Sequence, residues 1–411
     1  MPTVTFLDAG TDQTQDLTFW PNVDVSAGGT VASASDQAHT GTRSLKLDTT
    51  GTPHTVFLGS GDGVCADAGT RCSFWMRLSA TPSTNMCVLL INQALFASSV
   101  LGLGVTSGGK IELLNGFNAA SAIGAAGATT IAATTWTRIG MSWVITTTTN
   151  WTCKIYINGV LELTRTNADA TLLHTATSEF GPTLSKALSG DTISNLQVWY
   201  DDIYLDNGTD LADPGDIRVT AKRPFSNGTT NGFTTQIGAG GSGYGSGHAS
   251  QVNEQPLSQT NGWSMVGAGS AVTEEYNVES VSAGDVDITG QTIIDWMGWV
   301  FASALASETA SLIVGGATSN AALTSTPTLF LAAKGSSTYP AGSGSDVGLI
   351  TTTAITTVSL YECGVLVAYT PSTGTTLAVP AGTTQFAGQA PWSLVEDTYV
   401  PHLIIKNRLA P

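Results

Sequence analysis

The stretch VWYDDIYLDNG, residues 198–208, sets Asp201, Asp202 and Asp206 among two tyrosines and a tryptophan. Carboxylates in that setting can act as acid and base, collect a cation, or accept hydrogen bonds at the end of a strand. Cleavage of a glycosidic bond needs a second carboxyl at a defined distance across a cleft. The neighbouring acids Glu162 and Glu179 lie in no motif that supplies one. A calcium ion gathers carboxylate and carbonyl oxygens. Asp8, in VTFLDAG, joins Asp201 and Asp202 in a candidate calcium site if the first and last strands of a domain pair. Alternation along a strand puts Trp199, Asp201, Ile203 and Leu205 on one face, and Tyr200, Asp202, Tyr204 and Asp206 on the other. Asp201 then stands among core residues, where a bare carboxylate is costly. A structural cation and ordinary hydrogen bonds both relieve that cost.

The same alternation selects a second set. In SFWMRL, Phe74, Met76 and Leu78 share the inner face, while Trp75 and Arg77 share the outer one. In CKIYIN, Cys153, Ile155 and Ile157 point inward and leave Lys154, Tyr156 and Asn158 on the wet face. An aromatic ring beside a cation suits stacking on a sugar whose hydroxyls need polar neighbours. Trp75, Arg77, Lys154 and Tyr156 are therefore the candidate glycan-binding residues; cover by a loop or a second subunit is the other reading of the two rings. His39, His54, His174, His248 and His402 are scattered without an HExxH pair, and no GxSxG elbow occurs. No catalytic residue stands out, and the chain reads as a non-enzyme.

These side chains need strands to hold them. Runs rich in Val, Ile, Thr and aromatics recur between Gly, Ser, Asn and Pro clusters, so the fold class is all-β. The segments SLKLD (44–48), CSFWMRL (72–78), TRIGMSWVIT (137–146), CKIYINGVLELT (153–164) and LQVWYDDIYL (196–205) are the clearest. KIYINGVLEL is a hairpin turning at Asn158-Gly159, where both residues tolerate positive φ. The turn-rich DNGTDLADPGD marks a boundary. Residues 1–210 form a first β-sandwich, 211–371 a second, and 372–411 an extended C-terminal arm that orders against a neighbour. The loop IGAGGSGYGSGHAS (237–250) lacks a GK[ST] ending and is no phosphate cradle.

Charged residues are 11 % of the chain, against roughly 25 % in an average globular protein. The net charge of −16 argues against nucleic acid as a partner. The most apolar stretch, IIDWMGWVFASALA, is interrupted by Asp295 and too short for the roughly 20 residues of a membrane span. The N-terminus shows no secretory leader, which leads to the expectation of synthesis in a cytoplasm without membrane insertion. Five cysteines without a CxxC pair favour free buried thiols, with a Cys65–Cys72 bridge as the alternative in an oxidising medium.

HTGTRSLKLD, SFWMRLS, TTWTRIGMSWVI, KIYINGVLE and YDDIYLD, in that order, resemble the concanavalin A-like or carbohydrate-binding-module jelly roll over the first half of the chain. In some of those domains a structural calcium lies near the first and last strands, which carries over here to Asp8, Asp201 and Asp202. The stretch from PGDIRVTAKRP through FTT and VNEQP to YECGVLVAY resembles minor structural proteins of tailed bacteriophages. That resemblance implies a non-enzymatic virion component, a head fibre, decoration or tail-associated adhesion protein. It also implies a homo-oligomer with other virion proteins as partners, displaying the jelly roll to a host-surface glycan. A purely architectural cementing protein is the alternative, and a glycan-cleaving enzyme the remote one.

Overall fold

Strands occupy almost every run that the alternation marks. The computed structural model describes residues 4–8, 20, 22–25, 29–49, 56–60, 64–66, 68–92, 99–116, 122–175, 177, 179–186, 196–238, 247–252, 261–266, 270–284, 286–333, 339, 346–351 and 356–372. The expected C-terminal arm, from Thr373 on, and most of the glycine-rich loop lie outside them.

The first sandwich opens with β1 (Val4–Asp8), β2 (Asn22–Val25), β3 (Thr30–Ala34), β4 (Ser44–Asp48), β5 (Val56–Gly59), β6 (Thr70–Leu78) and β7 (Met86–Asn92). It continues with β8 (Ser99–Val105), β9 (Ile111–Asn115), β10 (Thr137–Thr147), β11 (Asn150–Ile157), β12 (Val160–Thr166), β13 (Glu179–Lys186) and β14 (Gln197–Asp206). One sheet runs β12-β11-β10-β6-β14-β4-β3, with β1 also on β14; the facing sheet runs β2-β5-β13-β7-β8-β9. Phe74 of the first meets Phe180 of the second edge-on, with ring centroids 6.1 Å apart. Around them Leu45, Met76, Trp143, Val88, Ile91, Leu103 and Leu113 fill one core. Each such side chain contributes roughly 1.5–3 kcal/mol by leaving water.

The second sandwich comprises β15 (Arg218–Lys222), β16 (Pro224–Asn231), β17 (Thr235–Ile237), β18 (Gly262–Met265), β19 (Val272–Val278) and β20 (Thr292–Ala304). Then come β21 (Glu308–Val314), β22 (Ala317–Leu323), β23 (Thr328–Ala333), β24 (Val347–Thr351) and β25 (Val358–Thr370). Its sheets are β17-β18-β25-β20-β23, with β15 on β25, and β16-β19-β24-β21-β22. Trp296, Val300, Leu312, Leu349 and Val365 lie between them. Met297, Trp299, Leu366 and Ala368 face the opposite way and join the first core, together with Ile217 and Val219. The two sandwiches thus belong to one unit, Met1–Ser372. All-β architecture is as the sequence predicts.

Local details follow residue chemistry. Asn158 (φ 48°) and Gly159 (φ 85°) make the expected two-residue turn between Ile157 and Val160. All five cysteines are buried thiols outside any disulfide. Among the described residues no helix is long and apolar enough to cross a membrane.

Candidate functional site

The aspartates of β14 sit at an irregularity that alternation did not anticipate. Register slips between Asp201 and Tyr204, and Asp202 adopts φ 53°. A non-glycine residue with positive φ is uncommon, and aspartate is one of the few that tolerate it. The bulge reverses the parity of the strand. Val198 and Tyr200 enter the core before it, and Ile203 and Leu205 after it. Asp201 therefore does not share a face with Ile203 and Leu205 as the alternation suggests; it stands opposite Trp75.

Donors surround both carboxylates. Asp201 Oδ2 accepts from the His39 and Thr40 amides at 2.7 and 3.1 Å, and its Oδ1 accepts from the Asp202 amide at 2.8 Å. Asp202 Oδ2 lies 2.7 Å from both His39 Nδ1 and Thr40 Oγ1, and its Oδ1 accepts from the Val219 amide at 2.8 Å. Each of the four oxygens already faces an N–H or O–H, so the pair does not fit a calcium ion. Asp8 does lie on β1 beside β14, opposite Ile203, and accepts the Trp20 indole N–H at 2.7 Å. Among the described residues no group of three or more His, Cys, Asp or Glu side chains is placed to hold a metal. Asp206, the third aspartate, takes a two-pronged contact from Arg71 at 2.9 and 2.8 Å and the Tyr204 hydroxyl at 2.9 Å.

The predicted glycan face is the outer face of the same sheet, and the chain itself occupies much of it. His39 stacks on Trp75 at 3.8 Å, and the Arg218 guanidinium lies over the same ring at 5.2 Å. Arg77 lies over Trp199 at 5.8 Å and donates to the Thr134 carbonyl. Residues 207–216, the stretch read as a boundary, run across this face as a strap. Ser73 and Ser142 donate to the Gly215 and Ala212 carbonyls at 3.1 and 3.0 Å, and Arg138 grips Asp213 at 2.9 and 2.7 Å. Tyr156, expected on the wet face, is only 9 % exposed, because its hydroxyl donates to the Leu211 carbonyl under the strap at 2.7 Å. Burial and the nearby Asp213 push its phenol up. Lys154, half-buried, lies two residues before it on β11. Trp75 and Arg77 gather with His39, and Tyr156 gathers with the strap; the four do not form one platform.

The other sheet carries what sequence reasoning missed. Cys87, Leu90 and Leu114 are fully buried yet belong to neither core. They lie on the face of β7-β8-β9 that turns away from Ile91, Leu103 and Leu113. Beside them stand Asn92, at 0 % exposure, and Glu112, at 4 %. Neither the amide N–H₂ nor the carbonyl of Asn92 has a hydrogen-bond partner, and Glu112 Oε1 has none. Such groups are rare in native interiors, since each costs about 1–3 kcal/mol. Burial pushes the Glu112 carboxyl above its ordinary range. The glycines of β8 are closely packed against this face: a Cβ on Gly104 would strike Glu112 Cγ at 2.8 Å, and one on Gly102 the Gly116 carbonyl at 2.6 Å. Glu179 of β13 stands opposite Asn92. The signals available in the sequence were GLG in β8, whose glycines alternate with core leucines, and the lone polar residues of MCVLLIN and IELLN.

No family model and no curated protein matches the chain. Among solved structures, the chain is similar to an endo-beta-1,4-glucuronan lyase from the fungus Trichoderma reesei, with 18 % identity and TM-score 0.42, over 52 % of this chain and 99 % of that one. It is similar to the cellulose induced protein Cip1, with 17 % identity and TM-score 0.37, over 49 % and 96 %. It is also similar to domain 4 of AbnA, an extracellular arabinanase from Geobacillus stearothermophilus, with 16 % identity and TM-score 0.32, over 52 % and 99 %. The expectation of a virion structural protein, fibre, decoration or cement, is not supported by these comparisons: none of the similar structures is described as a virion component.

Proposed function

We propose that the chain binds carbohydrate on the β13-β7-β8-β9 face that carries Asn92 and Glu112. The observation that carries this reading is the pair of buried, unpartnered polar groups, the Asn92 amide and Glu112 Oε1. Sugar hydroxyls both donate and accept, so different hydroxyls of one oligosaccharide can complete the Asn92 amide and the Glu112 carboxyl. Leu90 and Leu114 on the same face would supply the apolar contact that the C–H face of a ring takes. Paired-carboxylate hydrolysis is not part of the proposal. Glu179 and Glu112 stand on strands separated by two others and in different registers, which places them more than about 14 Å apart at the usual strand spacing. Glycosidase pairs span at most roughly 9.5 Å.

Replacement of Asn92 by leucine tests the reading. The variant keeps the volume and removes the unpartnered amide, so the fold keeps or gains stability, by about 1 kcal/mol, in thermal unfolding. Calorimetric titration with a panel of soluble oligosaccharides should show binding to the wild type and a loss of at least about tenfold in the variant. A wild type that binds no oligosaccharide, or a variant that binds as well, rejects the proposal.

A further inference from the structure

The opposite sheet carries a second, separate patch. The strap meets β6 at Arg71 and Ser73, and Trp75 and Arg77 continue the same outer face past it. We infer that Arg77 and Trp136 there bind the carboxylate and the ring of a uronic-acid sugar. Strand pairing sets the residues side by side. Trp199 of β14 pairs with Arg77 on one side and Lys46 on the other. Thr137 pairs with Met76, so Trp136, just before β10, comes level with Arg77. The Trp136 ring meets His39 edge-on at 5.6 Å, and His39 and Arg218 lie against Trp75. No described ring stacks on Trp136, which makes it the stacking surface. Arg77, Trp75 and Trp136 are half-buried, while the adjoining Ala80, Thr134 and Thr135 are exposed, so the patch opens to solvent without a cavity.

The guanidinium decides the ligand. Arg71, on the same face of β6, holds Asp206 through Nε and Nη2, the edge that takes both oxygens of one carboxylate. Arg77 gives Nη1 to the Thr134 carbonyl and lies over Trp199 at 5.8 Å. Among the described residues no carboxylate meets its other edge, and its Nε is a buried donor without an acceptor. Trp75 Nε1, on the neighbouring rung, is another. Such donors are rare in native structures. The aspartates nearby are already paired: Asp210 with Arg71, Asp213 with Arg138, and Asp36 with Lys46 at 3.0 Å. A carboxylate from outside completes the Arg77 edge, and Trp136 beside it offers a flat apolar surface to the C–H face of the ring that bears it. A neutral hydroxyl would leave the charge unmatched. With a net charge of −16 the protein does not draw polyanions from a distance, so selectivity rests on this contact.

The test is isothermal titration of the full chain with tetraglucuronate and with cellotetraose, in about 0.15 M salt to screen long-range forces. Tetraglucuronate should bind at least about tenfold tighter than the neutral chain. Arg77→Gln should lose about tenfold or more of that affinity, and Arg77→Lys should restore only part of it, because an ammonium lacks the two-pronged edge. Trp136→Ala should weaken binding several-fold. Thermal unfolding shows whether each variant folds; if Arg77→Gln does not, Trp136→Ala decides. A tetraglutamate peptide that binds as tightly as tetraglucuronate would make this a general carboxylate or peptide site and overturn the assignment to a sugar. Equal affinity for the two tetrasaccharides would also overturn it. Tetraglucuronate binding that survives in both Arg77→Gln and Trp136→Ala would place the ligand elsewhere, and its loss in Asn92→Leu instead would place it on the other sheet. An absence of tetraglucuronate binding removes this inference and leaves the Asn92 face to its own test.

Discussion

At the scale of single residues, the chain spends stability where nothing in its own fold repays it. Glu112 is the clearest case. Its folded carboxyl releases its proton at higher pH than an unfolded one. Below the ordinary glutamate value of about 4.3 both states hold the proton and the residue is neutral in its effect. As pH rises from there through the raised folded value, the unfolded state ionises first and folding loses free energy. Glu112→Gln should therefore match the wild type in acid and exceed it by on the order of 1 kcal/mol at neutral pH. Denaturant unfolding at pH 4 and pH 7.5 checks this; an advantage already complete at pH 4 would show that burial of the ionised form is not the cause. The three aspartates of the YDDIYLD stretch behave oppositely. Every one is surrounded by donors, and their work is to tie segments together.

At the scale of elements, β14 shows how far alternation reaches. It placed Phe74, Met76 and Leu78 in the core correctly, because β6 is regular through them. It failed at Asp201 because a bulge is set by tertiary demands: the carboxylates must meet the loop at His39 and Thr40 on one side and β15 on the other. The hairpin at Asn158-Gly159 was legible for the opposite reason, since its geometry depends only on two adjacent residues. The unpartnered Asn92 and Glu112 were hidden because a lone Asn or Glu in an apolar strand reads the same whether or not it finds a partner. Asp202→Ala would leave the buried Val219 amide and Thr40 hydroxyl without their acceptor, and should cost about 3 kcal/mol. Asp202→Asn tolerates the same positive φ and keeps an acceptor, so it should cost distinctly less. Equal losses in urea titrations of the two variants would mean that charge, rather than the hydrogen bonds, holds the junction.

For the whole molecule, the shared core decides how it comes apart. Met297, Trp299, Leu366 and Ala368 of the second sandwich pack into the core that contains Leu7, Tyr204 and Leu205 of the first. Calorimetry should show one transition for both sandwiches, and Trp299→Ala, with a loss of about 3–5 kcal/mol, should lower it for both. Two well-separated transitions in the wild type would mean that the sandwiches unfold independently. The strap adds a further consequence, for anyone who would isolate the first sandwich. A chain stopped at residue 210, where the sequence suggests a seam, would lose Leu211, Ala212, Asp213 and Gly215, which satisfy Tyr156, Ser142, Arg138 and Ser73. Four polar groups would be laid bare on a sheet that never evolved to meet water there. The connecting segment is the lid of the first sandwich, and a protein cut before it would be left open.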